Sequence, residues 1–385
     1  MEFGIFTQTY VPAFRREGDP DAEHHAIQHD IELTKAADKA GFKYVWVTEH
    51  HFLDEYSHMS ANDTYTGYLA CCTDRIHVGS GIFNPLAMVN HPAKVAERVA
   101  MLDHLSDGRF EFGTGRGAGS HEILGFLQQA VELSAGSKDL SVTKEIWEET
   151  IGEFPKMWMQ DTYEGHDGKW WSLPPRKVLP KPWKKPHPAM WYAAGNTSSY
   201  AMAARKGLGV LGFSVGNVEE LEPVLTAYKK EIVNAEPVGA FVNDNVMVTS
   251  AAFVANDHDT AVRSAVNSRM NYLQSNVFRY HDTFPHPAEV PYWPDLIPDY
   301  TPETIEYMAG TGAVVCGDPD EALEQCRRWE AAGADQLVFG SGMATLEEQL
   351  ETIRIFGEYI IPKLDTDPVH RTTRFRDEAA ARLGC

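Results

Sequence analysis

The stretch Tyr44-Val45-Trp46-Val47-Thr48-Glu49-His50-His51-Phe52 decides the fold that we predict. Its first five residues alternate β-branched and aromatic side chains, a pattern typical of a buried strand in a parallel sheet. The apolar run ends in Glu-His-His, which places polar side chains at the carboxyl end of that strand. Because α/β folds gather ligands and catalytic groups at this end, we interpret Glu-His-His as a candidate site.

Other interpretations of Glu-His-His compete with a catalytic one. The run could begin a solvated loop, or it could contain a core histidine bonded to a backbone carbonyl. A metal site is a third, weaker alternative, because neighbours on an extended chain point to opposite sides and no cysteine or second histidine pair has ligand spacing. The position at the end of a buried strand favours the catalytic interpretation, and we predict no metal ligands.

Strand-like and helix-like segments alternate along the chain. The predicted strands are residues 3–7, 44–48, 76–82, 109–114, 190–194, 209–213, 246–254 and 336–340. Predicted helices include residues 22–40, 64–73, 92–105, two within 120–159 separated at Gly136-Ser137, 198–206, 218–234, 258–276 and 345–364. Eight strands in alternation with helices predict a (β/α)8 TIM barrel rather than a doubly wound sheet.

The predicted domain organisation is one barrel with an insertion and a tail. The barrel covers residues 1–364, and an insertion rich in proline and aromatic residues, at about 278–300, lies between strands seven and eight. Long loops of this kind often cover a site, so we expect it to act as a lid. Residues 365–385 are charged, and we expect them to be peripheral.

Composition excludes several classes of partner. The formal net charge is -21, from 34 basic and 55 acidic residues among 385. This charge disfavours nucleic acid and anionic membranes, because phosphate groups bind basic surfaces. No apolar run approaches ~18 residues and no charged-then-apolar N-terminus is present, so we expect a soluble, cytoplasmic protein. The five cysteines show no framework spacing, which indicates reduced thiols.

A second candidate site is the tract Gly113-Thr114-Gly115-Arg116-Gly117-Ala118-Gly119, which follows a predicted strand. Its glycines let the backbone approach a ligand closely beside a fixed positive charge, as a phosphate requires. The spacing differs from the dinucleotide-binding fingerprint. The alternative is that the glycines serve tight turns only.

A third tract, from Gly195 to Ser199, closes another strand and opens a helix. Its first-turn amides and the positive end of the helix dipole could hold a phosphate or another anion. Ordinary helix capping is the alternative. Capping explains any one of these residues, but it does not explain ligand-like ends on three strands of one barrel.

These tracts, in this order, resemble the bacterial luciferase-like flavin monooxygenases. The resemblance extends from residue 1 to about 364. It is carried by residues 46–52, Val78-Gly79-Ser80-Gly81, the His91-Pro92 pair, residues 102–113 with Arg116-Gly117, and residues 315–319.

The resemblance implies a (β/α)8 barrel that binds reduced FMN and reacts it with O2 to a C4a-peroxyflavin. One oxygen atom then passes to an apolar organic substrate such as an aldehyde, a ketone or a terpene-like molecule. No nicotinamide-binding domain fits in the chain, so the resemblance implies a separate NAD(P)H flavin reductase. Light-emitting luciferases have a cysteine immediately before the phosphate arginine, whereas this chain has Gly115.

The resemblance also assigns roles to individual residues. His50 matches the histidine required for oxygenation, and we expect Glu49 to orient it or to fix its tautomer. Arg116 matches the arginine that binds the FMN phosphate. The remaining cofactor-binding positions are Gly195, Asn196 and Ser199 around the phosphate, and Gly81-Ile82, where the family often has a cis peptide bond under the flavin ring.

The sequence is compatible with two other functions. One is a deazaflavin-dependent oxidoreductase of the same superfamily, which would use no oxygen. The other is a non-catalytic flavin-binding subunit, although the presence of both His50 and Arg116 argues against it.

A homodimer is the expected assembly. The predicted helices 64–73 and 92–105 carry more apolar residues than one barrel-facing side needs, namely Tyr65, Tyr68, Leu69, Val95, Val99 and Leu102. Relatives in the family pair these helices across a dimer interface, which would bury the second apolar side. Alternatively, these residues lie under the insertion loops.

Overall fold

The structure is a computed structural model that describes residues 1–133, 140–213, 216–282, 286–342 and 344–385. Its strands are β1 (Glu2–Thr7), β2 (Tyr44–Val47), β3 (His77–Ser80), β4 (Phe110–Thr114), β5 (His166–Asp167), β6 (Ser172–Leu173), β7 (Met190–Ala194), β8 (Gly209–Gly212), β9 (Val246–Val254), β10 (Val314–Gly317) and β11 (Gln336–Gly340). Its helices are α1 (Ala13–Arg16), α2 (Ala22–Ala40), α3 (Asn62–Cys72), α4 (Pro92–Leu105), α5 (Ser120–Leu133), α6 (Val142–Ile151), α7 (Glu153–Met159), α8 (Thr197–Arg205), α9 (Val218–Ile232), α10 (His258–Asn267), α11 (Met270–Tyr280), α12 (Pro302–Thr311), α13 (Pro319–Ala331), α14 (Leu346–Ile355), α15 (Ile361–Leu364) and α16 (Arg371–Leu383), with a π-helical segment at Phe356–Ile360.

Eight parallel strands close into a barrel. The strands β1, β2, β3, β4, β7 and β8 follow one another around it. The strand β9 pairs with both β8 and β11, and β11 pairs with β1, which closes the ring. These eight strands correspond to the eight predicted ones, so the (β/α)8 prediction is confirmed.

A ninth strand, β10, was not predicted. Residues 247–250 of β9 pair with β11, whereas residues 251–254 of the same strand pair with β10. The strand β9 is thus long enough to pair with β11 of the barrel through its first half and with β10 through its second half. A four-residue apolar run before a Gly-Asp-Pro turn gives too weak a local signal to identify such a strand.

Two tryptophans fill the barrel interior. Trp46 on β2 and Trp191 on β7 are buried and lie edge to face, with ring centroids 5.0 Å apart. A Cβ atom at Gly79 would lie 2.4 Å from the Trp46 ring, and one at Gly209 would lie 2.5 Å from the Trp191 ring. The glycines of β3 and β8 therefore make room for these rings, and the barrel is a packed core rather than a pore.

The helices agree with the predicted segments except at breaks. The bounds of α2 and α4 are those predicted. Segment 120–159 contains three helices rather than two, because the chain breaks again at Gly152, and the predicted break at Gly136-Ser137 lies outside the described residues. The predicted helix 258–276 divides at Arg269, whose φ of 56° is left-handed. No helix in the described part of the chain is long and apolar enough to cross a membrane.

The C-terminal segment is not peripheral, and this expectation is wrong. The helix α16 packs across the amino-terminal end of the barrel. His370 stacks on His77 with ring centroids 3.7 Å apart, and the Thr372 hydroxyl donates to Glu111 Oε1 at 2.5 Å. Charge alone suggested a solvated segment, because charged residues are usually exposed. Here Arg376 is buried and pairs with Asp103 at the floor of the barrel, whereas Arg374 pairs with Asp367 on the surface.

The predicted insertion at about 278–300 reaches the barrel mouth through His281 rather than through its aromatic loop, and the helix α11, most of which precedes the insertion, lines the mouth as well. The helix α11 and His281 line cavities at the mouth, whereas Tyr292 and Trp293 are exposed. Tyr292 stacks on His286, with ring centroids 4.0 Å apart, and Trp293 packs against the Arg279 guanidinium at 4.2 Å. These two aromatics therefore do not close the site. Phe284 lies outside the described residues.

The expected dimer surface is less apolar than the sequence suggested. Of the six residues named for it, only Tyr68 is exposed, and the other five are buried within the protomer. The exposed apolar residues on α3 and α4 are Tyr68, Met101 and Leu105, which are 55%, 47% and 55% exposed. Periodicity could not separate side chains that pack between α3 and α4 from those that face outward.

Candidate active site

A cavity opens at the carboxyl ends of the barrel strands, with about 1120 Å³ of space that includes the solvent at its mouth. All eight site residues predicted from the sequence line it: Glu49, His50, Gly81, Ile82, Arg116, Gly195, Asn196 and Ser199. They follow β2, β3, β4 and β7, so closure of the barrel brings together tracts that are far apart in the sequence.

Glu122 holds His50 in the cavity wall. His50 Nδ1 lies 3.1 Å from Glu122 Oε1, and both side chains are buried. The same oxygen accepts a hydrogen bond from the His51 amide at 2.8 Å, and Glu122 Oε2 accepts one from the Ala118 amide at 2.9 Å. Glu122 thus links the loop after β2 to the loop after β4.

Glu49 does not orient His50, and that expectation is wrong. Glu49 Oε1 lies 3.1 Å from His51 Nε2, and Glu49 Oε2 accepts a hydrogen bond from the Asn84 amide at 3.2 Å. In an extended chain the residue two positions along lies on the same side, and the adjacent one lies on the other side. The site therefore contains two Glu–His pairs, Glu122 with His50 and Glu49 with His51.

The carboxyl group of Glu122 is ionised near neutral pH. Burial by itself raises the pKa of a carboxyl group, but the His50 ring and the amides of Ala118 and His51 outweigh burial and lower the pKa of Glu122 to about 2. In the second pair, the hydrogen bond that the His51 ring donates to the Glu49 carboxylate raises the pKa of His51, although burial opposes it.

Aromatic rings surround His50. Tyr56 and His281 meet it edge on, with ring centroids at 5.2 and 6.0 Å, and His281 stacks on Phe213 at 4.8 Å. Burial, followed by the nearby His50, lowers the pKa of His281 to about 3, so this ring is neutral near pH 7. This part of the cavity thus combines aromatic walls with two imidazole rings.

Arg116 contributes a fixed positive charge to the same cavity. Its Nε donates to the Tyr192 hydroxyl and its Nη1 donates to the Thr143 hydroxyl, both at 3.0 Å. Neither partner is acidic, so these bonds orient the guanidinium without neutralising it. An oriented, unneutralised guanidinium suits a phosphate or carboxylate ligand.

The amino-terminal end of α8 also borders the cavity. Asn196 Oδ1 accepts a hydrogen bond from the Ser199 amide at 3.0 Å, and Ser199 Oγ accepts one from the Asn196 amide at 3.2 Å. This capping box accounts for both side chains, as the alternative interpretation held. An anion here would therefore meet the helix dipole and the backbone of Gly195 rather than free side chains.

The Gly81–Ile82 peptide bond is cis, as the resemblance implies. The Ile82 side chain reaches towards the loop after β4, because a Cβ atom at Gly115 would lie 3.0 Å from Ile82 Cδ1. With Phe6 and Leu211, Ile82 contributes an apolar part to the lining of the cavity that also contains Arg116 and His50. Such a surface suits a planar ring system.

A second cavity, of about 760 Å³, adjoins the first and shares four residues with it, namely Phe6, Tyr56, Phe213 and Thr249. None of the described residues that line it is charged; the others are Gln8, Ser250, Ala251, Met270, Leu273, Gln274, Val277, Met308, Ala313, Val314, Gly340 and Ser341. A lining of this kind suits an uncharged molecule, because an ion would lose hydration without gaining a charged partner.

Glu122, His281 and Tyr192 belong to the site but were not predicted. Glu122 lies in the first turn of the helix that directly follows the Gly-Arg tract, and this position was the available signal. His281 reaches the cavity only because α11 folds over the barrel mouth. Nothing local in the sequence marks that contact.

Comparisons with known proteins agree with this geometry. A family model described as luciferase-like monooxygenase matches residues 1–336. A flavin-dependent trigonelline monooxygenase, oxygenase component, from Acinetobacter baylyi is 25% identical over 380 residues, which are 96% of this chain and 98% of that protein.

Two solved structures share the fold. A monooxygenase from Streptomyces bottropensis has a TM-score of 0.71 at 22% identity and covers 94% of this chain and 99% of its own. The oxygenating constituent of 3,6-diketocamphane monooxygenase from Pseudomonas putida, in complex with FMN, has a TM-score of 0.70 at 16% identity and covers 94% of this chain and 98% of its own. Both likenesses extend over nearly the whole chain.

Proposed function

Because this chain belongs to the luciferase-like monooxygenase family, we propose that it is the oxygenase component of a two-component system. It uses reduced FMN and O2 to transfer one oxygen atom to an uncharged, apolar organic substrate. A separate NAD(P)H flavin reductase supplies the reduced FMN. The Acinetobacter relative supports this division, because its name describes it as an oxygenase component.

The observation that carries the proposal is the single cavity with two unlike regions. One region has the Arg116 guanidinium and the amino-terminal end of α8, and another has the His50 ring paired with Glu122. A ligand with an anionic group and a planar ring system matches both regions and the apolar part of the lining.

These residues fit FMN. Arg116 and the α8 terminus would hold its phosphate, and Gly81-Ile82 with Leu211 would contact its ring system. When bound, reduced FMN supplies the electrons that activate O2. The protein positions the reactants, and His50 Nε2 holds or moves the proton that oxygen transfer requires.

The second cavity supports an uncharged substrate. It adjoins the His50 region, and no charged residue lines it among those that the structure describes. We expect aldehydes, cyclic ketones or terpene-like molecules to be suitable candidates.

The decisive experiment supplies the purified chain with FMN, an independent flavin reductase, NADH and isotopically labelled O2. A panel of uncharged apolar compounds is added, and mass spectrometry detects products that gain one labelled oxygen atom. We expect labelled product from at least one compound, and His50→Ala should divert the electrons to hydrogen peroxide.

A parallel reaction with reduced deazaflavin in the absence of O2 distinguishes the main alternative. Turnover with reduced deazaflavin, without any labelled product in the first reaction, would mean that the protein is a deazaflavin-dependent oxidoreductase and not a monooxygenase. Flavin binding with no turnover in either reaction would point to a non-catalytic subunit.

A further inference from the structure

We propose that Glu122 is the positioning residue of His50: its carboxylate keeps the proton of the neutral imidazole on Nδ1 and directs Nε2 into the cavity. The inference rests on the proposed function, because it concerns the histidine that acts on the substrate there. It assigns a role to a residue that the sequence motifs did not mark.

The carboxylate itself is held rigidly. Its two oxygens accept hydrogen bonds from the His51 amide at 2.8 Å and from the Ala118 amide at 2.9 Å. These two backbone donors belong to different loops, so the carboxylate cannot rotate without losing one of them. The imidazole bonded to it at 3.1 Å is therefore fixed in orientation as well.

The protonation of Glu122 decides the tautomer of His50. An ionised carboxylate can only accept hydrogen bonds, so His50 Nδ1 must be the donor in this pair. The other ring nitrogen of a neutral imidazole is then unprotonated. Nε2 lies on the far side of the ring from Glu122, and no described residue makes a hydrogen bond to it. It is the atom that can accept a proton from a molecule in the cavity.

A glutamine at this position would not reproduce the arrangement. All three partners of Glu122, namely the His50 ring, the His51 amide and the Ala118 amide, are donors. The NH2 group of a glutamine would point either at the Ala118 amide or at the His50 ring and the His51 amide. In either orientation a backbone N–H donor would face the NH2 donor. The variant Glu122→Gln therefore keeps the size of the side chain but removes its charge and its two-sided acceptor character.

The first test measures the tautomer directly and needs no turnover. Long-range proton–nitrogen NMR of histidine-labelled, full-length protein, without flavin or substrate, reports which ring nitrogen carries the proton. His50→Gln identifies the His50 signals by their disappearance. We expect protonated Nδ1 in the wild-type protein, and a shift towards protonated Nε2 in Glu122→Leu, which removes the acceptor of the Nδ1 proton.

The second test separates positioning from substrate binding. We expect Glu122→Gln to lower the kcat of labelled product formation at least about tenfold while the KM for the substrate changes little, because a misplaced proton acceptor slows the chemical step. Glu122→Asp, which keeps a carboxylate, should recover part of the loss.

Glu153→Gln is the matched control. Glu153 is a buried carboxylate that accepts a hydrogen bond from the Tyr163 hydroxyl at 2.7 Å, and it lines neither cavity. This control should leave both kcat and the His50 tautomer unchanged.

Protonated Nε2 in the wild-type protein would overturn the proposal, and so would an unchanged tautomer in a folded Glu122→Leu variant, which has no acceptor at this position. The measurement of the His50 tautomer in the wild-type protein tests the proposal even if the variants fail to fold. It also remains valid if no oxygenated product is found, so failure of this inference and failure of the proposed function can be told apart.

Discussion

At the scale of single residues, the chemistry of the site depends on which partners the charged side chains have. Arg116 is bonded to two neutral hydroxyls, so its charge remains available to a ligand. The Glu122 carboxylate is hydrogen-bonded to three groups, the His50 ring and the amides of His51 and Ala118, so its charge is already paired within the protein. The arrangement around Arg116 leaves its charge without an acidic partner, and the arrangement around Glu122 fixes the orientation of the carboxylate beside His50.

Replacing Arg116 should weaken FMN far more than riboflavin. A charge-assisted hydrogen bond contributes about 1.5–3 kcal/mol, so Arg116→Ala should raise the Kd of FMN by about tenfold to a hundredfold. Riboflavin lacks the phosphate and serves as the matched ligand, with an expected change of less than about threefold. Fluorescence titration measures both constants. An equal loss for both ligands would mean that Arg116 does not contact the phosphate.

At the scale of secondary-structure elements, α16 is part of the barrel. Arg376 makes two hydrogen bonds of 2.9 Å to the Asp103 carboxylate, and both side chains are buried. It also donates to the backbone oxygens of Gly108 and Lys184. One side chain of α16 therefore connects the segments that precede β4 and β7.

Removing the Arg376 charge should destabilise the protein strongly. Arg376→Met leaves the Asp103 carboxylate buried without its partner, which costs about 3–5 kcal/mol of unfolding free energy. Arg374→Met is the control on the same helix, because Arg374 pairs with Asp367 on the surface and such pairs contribute about 0–1 kcal/mol. Urea unfolding followed by circular dichroism measures both values. Similar losses in the two variants would show that α16 does not stabilise the barrel floor.

Glu111 in the barrel floor gives a prediction about pH. Burial raises the pKa of Glu111 from the usual 4.5 to about 7, although hydrogen bonds from Thr372 and Trp191 oppose this. The folded state therefore holds the proton more tightly than the unfolded state does. The resulting penalty is absent below about pH 4.5, grows as the pH rises to about 7, and reaches about 3 kcal/mol.

The variant Glu111→Gln isolates this effect from the other titrating groups. The measured quantity is the unfolding free energy of the variant minus that of the wild-type protein. This difference should be more favourable to the variant at pH 8 than at pH 4.5, by up to about 3 kcal/mol. Urea unfolding at the two pH values provides the comparison. A difference between the proteins that does not depend on pH would contradict the raised pKa of Glu111.

At the scale of the whole molecule, the candidate site and the buried ion pair of α16 lie at opposite ends of the barrel. The cavities lie at the carboxyl ends of the strands, and the paired charges of α16 lie at the opposite end. Exposed apolar residues occur on a third surface, formed by Tyr68, Met101 and Leu105. This third surface is where we predict a homodimer.

The homodimer prediction has a matched pair of variants. Met101 and Met159 are both 47% exposed, but only Met101 lies on the proposed surface. We expect Met101→Lys to shift the protein from dimer to monomer, because a charge in an apolar interface loses its hydration. Met159→Lys should leave the mass unchanged. Light scattering at micromolar concentration measures the molecular mass of each protein. A monomeric wild-type protein would disprove the prediction.

The sequence by itself determined the barrel and the locations of the tracts that line its mouth. Strands such as β2 and β4 are recognisable because apolar periodicity is a local property, and the tract after each strand is fixed by chain connectivity. Parallel strands in a closed barrel must bring their carboxyl ends to one mouth. For this reason the amino-acid sequence is sufficient to assign His50, Arg116 and Asn196 to a common site.

Only the tertiary structure decided which side chains meet across that mouth. Glu122 rather than Glu49 reaches His50, α11 covers the cavity, and α16 closes the barrel floor. Each of these contacts joins segments far apart in the chain. Their formation depends on side-chain direction and on the packing of distant loops. Periodicity and spacing describe neighbours along the chain, so they carry no information about such pairings.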